Sequence, residues 1–133
     1  MANRAFYTPQ CQSHKAVILS VLLLGGGSGG ALSLANGNGD PNGTYFSTAR
    51  TGTGVYTVTT KDAFPLALGV HASLVLNTAA TNVFVVEGPL PTHNSNGTWT
   101  FTFNVFEAGS AADLGTTDGL RLTFFLHNSS VTA

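Results

Sequence analysis

Thr98-Trp99-Thr100-Phe101-Thr102-Phe103-Asn104-Val105 places a large apolar side chain at every second position and a polar one between. Successive side chains of a β-strand point to opposite faces, so this spacing gives a strand with one apolar and one polar face, which a helix would scatter around its circumference. Two further segments repeat the pattern. Leu120, Leu122, Phe124 and Leu126 alternate with Arg121, Thr123, Phe125 and His127. Leu68, Val70, Ala72, Leu74 and Leu76 alternate with Gly69, His71, Ser73, Val75 and Asn77. These are expected to be half-buried antiparallel strands.

Weaker strands are expected at His14 to Leu24, Gly30 to Ala35, Thr44 to Arg50, Gly54 to Thr60 and Asn82 to Glu87, the last carrying Val83-Phe84-Val85-Val86. Turn formers separate them: the run Asn36 to Gly43, Thr51 to Gly54, Gly88 to Pro91, and Asn94 to Gly97. Only Gly109 to Gly115 has the composition for a helical turn. About eight short strands, each with one apolar face, must cover those faces against each other. The expected fold is therefore all-β, an antiparallel two-sheet sandwich of the jelly-roll kind. One domain over residues 14–133 suits a chain of 133 residues, with residues 1–13 as an extended N-terminal arm.

The run AVILSVLLL at Ala16 to Leu24, behind Arg4 and Lys15, also has the outline of a secretory signal peptide. It is too short to cross a bilayer, and the glycines from Gly25 to Gly30 offer no clear small-x-small cleavage site. A buried strand is the expected reading, and no membrane partner is implied.

Charged residues make up 8% of the chain, against about 25% in ordinary domains, and the formal net charge is −1. Such a surface is poorly guarded against association, which fits a protein that works largely covered. No basic run is present to neutralise phosphates, so nucleic acid is not expected as a partner. One cysteine, Cys11, makes no internal disulfide, and no Cys/His cluster offers a metal site. His14, His71, His93 and His127 are scattered, and Asp40, Asp62, Glu87, Glu107, Asp113 and Asp118 fall at loops or strand ends, where carboxylates accept turn hydrogen bonds. No nucleophile elbow or nucleotide loop is found, so neither catalysis nor a cofactor is expected. Asn42-Gly43-Thr44, Asn96-Gly97-Thr98 and Asn128-Ser129-Ser130 match the glycosylation acceptor, as chance allows in so Asn- and Thr-rich a chain.

The residues singled out for interaction are apolar ones out of phase with their own core stripes, Phe106 and Phe125, together with Arg4, Phe6 and Tyr7 of the arm. Exposed aromatic side chains carry much of the energy where proteins meet, and an extended arm can wrap a partner.

The stretch Arg50-Thr51-Gly52-Thr53-Gly54-Val55-Tyr56-Thr57-Val58-Thr59, the strand at Leu68 to Leu76 and the closing run Leu122 to Ser130 resemble small virion proteins of tailed bacteriophages. The similarity is to the jelly-roll cement, or decoration, proteins of short-tailed phages, and covers about the last 85 residues. It implies a virion protein, made in the bacterial cytoplasm, that attaches to the outer capsid surface, bridges major capsid protein subunits and associates with itself as a dimer or trimer. It carries over no catalytic residues. The alternative is a secreted or surface carbohydrate-binding module with an N-terminal signal peptide, using Trp99 or Tyr56 against sugars, although Trp99 is in phase with the core.

Overall fold

The computed structural model describes residues 16–38, 43–78 and 80–127. Ten strands follow in order: β1 (Ala16–Leu24), β2 (Ser33–Asn38), β3 (Phe46–Gly52), β4 (Val55–Thr60), β5 (Leu66–Val75), β6 (Val83–Glu87), β7 (Thr92–His93), β8 (Trp99–Glu107), β9 (Ser110–Ala111) and β10 (Gly119–His127). β7 and β9 are two-residue ladders on β8, which leaves eight strands of five residues or more. No helix is present among the described residues, and hence none long and apolar enough to cross a membrane.

Two antiparallel sheets form, one in the order β2-β1-β10-β5 and the other β3-β4-β8-β6. The all-β sandwich expected from the alternating segments is therefore present. The jelly-roll order is not established by this pairing, because β1–β2 and β3–β4 are hairpins that each stay within one sheet. The segment Ala16–Leu24 is a central strand, paired along its whole length with β10 from Ala16↔His127 to Leu24↔Gly119.

The inward stripes of the two sheets make one core. Phe101, Phe103 and Val105 of β8, Tyr56 and Val58 of β4, and Phe46 of β3 meet Leu120, Leu122, Phe124 and Leu126 of β10 and Val21 and Leu23 of β1, all buried. Phe124 is the hub between the layers. Its ring centroid lies 4.8 Å from that of Phe46 and 4.9 Å from that of Phe101, both in tilted arrangements that suit the quadrupoles of aromatic rings.

Four expectations need correction. Leu68 was assigned to the core stripe of β5 but is 58% exposed. Phe125 pairs with Gly69 and Leu126 with Ala67, so Leu68 is the extra residue of a β-bulge, and the phase of the stripe flips there. Val70, Ala72 and Leu74 pack on the core as expected, and beyond the bulge Ala67 takes that place. The run from Asn36, read as a turn, continues β2 to Asn38, whose backbone pairs with Leu22. The helical turn placed at Gly109 to Gly115 is instead the β8–β9 hairpin and a loop. Glu107 pairs with Ser110 across Ala108 (φ 52°) and Gly109 (φ 82°), the two positive φ values that a two-residue hairpin turn needs. Finally, Tyr56, which the carbohydrate-binding alternative needs at the surface, is fully buried.

Candidate functional site

The outer faces of both sheets expose large apolar side chains. On the first sheet, β1, β10 and β5 align Ile18, Phe125 and Gly69 in one cross-strand row. Ile18 is 63% exposed and Phe125 40%, and the bulged Leu68 extends the apolar patch. The next row along is polar, with Ser20 and Thr123 joined by their hydroxyls at 3.3 Å. On the second sheet Phe106 faces outward and stacks on Phe84 of β6, with centroids 5.3 Å apart and planes 25° from parallel. Phe84 is 49% exposed and Val86 46%. Across β4 and β8 that face sets Thr57 opposite Thr102 and Thr59 opposite Thr100, the latter pair joined by their hydroxyls at 3.0 Å. Phe106 and Phe125 thus lie on opposite sides of the sandwich. Phe84 was missed as a surface residue because an unbroken run such as Val83 to Val86 has no alternation from which to read which side faces out. Arg4, Phe6 and Tyr7 lie outside the described residues.

The main polar cluster is structural. The Asp113 carboxylate accepts two guanidinium N–H bonds from Arg50, from Nε to Oδ1 and from Nη2 to Oδ2, both at 3.0 Å. It also accepts backbone N–H bonds from Gly54 at 2.8 Å and Gly29 at 2.9 Å. Gly29 belongs to the β1–β2 loop and Gly54 to the β3–β4 turn, so one side chain ties both sheets to the 112–118 loop. The Arg50 guanidinium, helped by these two N–H groups, holds the Asp113 carboxyl well below the ordinary carboxylate range. Beside it the Tyr56 hydroxyl accepts the Leu114 N–H at 2.8 Å, which satisfies a polar atom inside the core. Burial raises the Tyr56 phenol above its usual value, and the Leu114 N–H, which favours the phenolate, only partly opposes this. Sequence placed Asp113 in a loop but gave no sign of Arg50, 63 residues away, as its partner.

Gly54 is required here. Its φ is +69°, and a Cβ would lie 2.6 Å from the Val105 carbonyl oxygen, a backbone atom that cannot step aside. Gly54→Ala is expected to lower stability by about 1–3 kcal/mol through strain at the turn and displacement of the N–H that Asp113 holds. Thermal unfolding of the variant checks this.

Other candidates for chemistry are engaged or isolated. Trp99 is half-buried, donates its indole N–H to the Phe64 carbonyl at 2.8 Å, and has one face covered by His93, with centroids 4.2 Å apart and planes 4° from parallel. With Tyr56 in the core as well, both side chains named for sugar binding are committed to the fold. A cleft of about 280 Å³ at one end of the sandwich is lined by Glu107, Asp113 and Asp118 among others. Asp118 accepts the Asn77 N–H at 2.9 Å, and Asp113 is occupied as described. Among the described residues no group of three or more His, Cys, Asp or Glu side chains is placed to hold a metal ion. No family model, curated protein or solved structure matches this chain.

Proposed function

We propose that this chain is a virion structural protein that binds the outer surface of a phage capsid and bridges neighbouring major capsid protein subunits, strengthening the shell. The observation that carries the reading is the pair of exposed apolar patches, one around Ile18 and Phe125 and the other around Phe84 and Phe106, on opposite faces of one sandwich. A bridge needs two binding faces, and a chain with 8% charged residues does little to keep them apart from partners. The resemblance of Arg50 to Thr59 and of the closing strand to phage cement proteins supports the same reading. Many symmetry-related copies on a lattice add avidity, so each contact can be weak alone.

Heads purified with and without the chain test it. Heads carrying the chain should hold it in a fixed ratio to the major capsid protein and release DNA at a higher temperature than heads lacking it. Ile18→Ser combined with Phe125→Ser should lower occupancy while leaving the isolated chain folded. Equal release temperatures, or no binding to heads, would overturn the proposal.

A further inference from the structure

We infer that β6 is a self-association edge, through which two copies of this chain join their β3-β4-β8-β6 sheets into one continuous antiparallel sheet. The inference does not rest on the capsid reading. It starts from how sheet edges are guarded: an exposed edge strand pairs with other chains unless a bulge, a charge or a proline interferes. Among the described strands of five residues or more, four are edges: β2, β5, β3 and β6. The β1–β2 pairing shifts register between Leu22 and Leu24, that of β5 with β10 shifts between Phe125 and Leu126, and that of β3 with β4 shifts between Arg50 and Gly52, with Arg50 itself on the edge strand. Of these four β6 alone pairs without a shift, over five residues from Val83↔Glu107 to Glu87↔Phe103, and it carries no Lys, Arg or Pro, its one charge being Glu87 at its end.

The backbone direction is fixed by bonds at both ends of β6. Ala108 donates to the Asn82 carbonyl and Gly88 donates to the Thr102 carbonyl, each at 3.0 Å. In an antiparallel ladder the bonding side alternates, so residues 82, 84, 86 and 88 turn their backbone groups to β8, and Val83, Val85 and Glu87 turn theirs outward. A second copy related by a two-fold axis at Val85 meets those groups in register. Val85 then pairs with Val85 of the second copy and Val83 with its Glu87, giving roughly six backbone hydrogen bonds.

Side chains and charge agree with this occupant. The register sets Phe84 beside Val86 of the other copy as a close non-hydrogen-bonded pair, so two half-exposed apolar residues cover each other and the Phe106–Phe84 stack continues across the axis. The one charged residue of the strand, Glu87, lies opposite Val83 and away from its own copy, which avoids the like-charge juxtaposition that would oppose pairing.

Sedimentation of the full chain over a range of concentrations, with hydrogen exchange at each, tests this. The expected result is a species of twice the 13.7 kDa chain mass, with the Val83, Val85 and Glu87 amides losing protection on dilution. Val86→Lys puts a charge on the outward face at a position already half exposed, and should weaken association roughly tenfold or more with the monomer fold kept. Val85→Pro removes an N–H that bonds nothing within the monomer's own sheet, and should abolish association. If Val85→Pro fails to fold, Val86→Lys decides alone. A chain that stays monomeric with fast exchange at the three amides, or an oligomer indifferent to Val86→Lys, overturns the inference; the latter would place the contact elsewhere, such as the Ile18 and Phe125 face.

Discussion

Replacing Phe124 by Ala is expected to cost about 3–5 kcal/mol, the range for emptying a buried phenylalanine site, out of a total stability of about 5–15 kcal/mol for a domain of this size. The cost should fall at the high end, since the ring sits between the layers and touches Phe46 and Phe101 of the facing sheet. Strands held by backbone ladders cannot close together over a gap that spans both sheets, so the cavity persists. The next residue is the control. Phe125→Ala removes a ring of the same size from the outer face and is expected to shift stability by only about 0.5 kcal/mol. Urea unfolding of the two variants side by side measures the contrast, and similar midpoints for both would mean that β10 is out of register by one residue.

That contrast was legible in the sequence, because alternation alone assigns Phe124 to one face of β10 and Phe125 to the other. The same rule gave the stripe Phe101, Phe103 and Val105, which is buried throughout. It failed where the period broke. At Leu68 one inserted residue turned a core position into an exposed one, and the local signal was Gly69 beside it, since a glycine inside a strand often marks a bulge that alternation alone passes over. At Gly109 small residues looked compatible with a helical turn, whereas Ala108 takes the positive φ that Ala seldom adopts, held by the β8–β9 pairing on either side. The surfaces were half legible. Phe106 and Phe125 stood out by phase, yet their neighbours Phe84, Ile18 and Leu68 come from strands distant in sequence and join only through register. Long-range polar pairing, as between Arg50 and Asp113, has no local signal at all.

Asp113 is therefore where the fold depends most on what local sequence did not predict, and its loss is the second large effect. Asp113→Ala removes the acceptor for the Gly29 and Gly54 N–H groups together and leaves the Arg50 guanidinium without its carboxylate. Hydrogen bonds to an ionised acceptor are about twice as strong as neutral ones, and after allowance for the partly open site the expected cost is about 2–3 kcal/mol. The charge can be separated from the packing by Asp113→Asn and pH. The folded carboxyl titrates well below its unfolded counterpart, so above about pH 5 it is ionised in both states and its stabilisation is complete. As pH falls through the ordinary carboxylate range, the unfolded chain takes up a proton that the folded chain refuses, and stability is lost. Burial raises Glu87 in the folded state, which acts in the opposite sense, but that residue is common to both proteins and drops out of the comparison. The stability difference between the native chain and Asp113→Asn should thus be widest near neutrality and close as pH is lowered from 5 toward 2. A difference that stays constant over that interval would show that the cluster holds the 112–118 loop by shape alone, without the carboxylate charge.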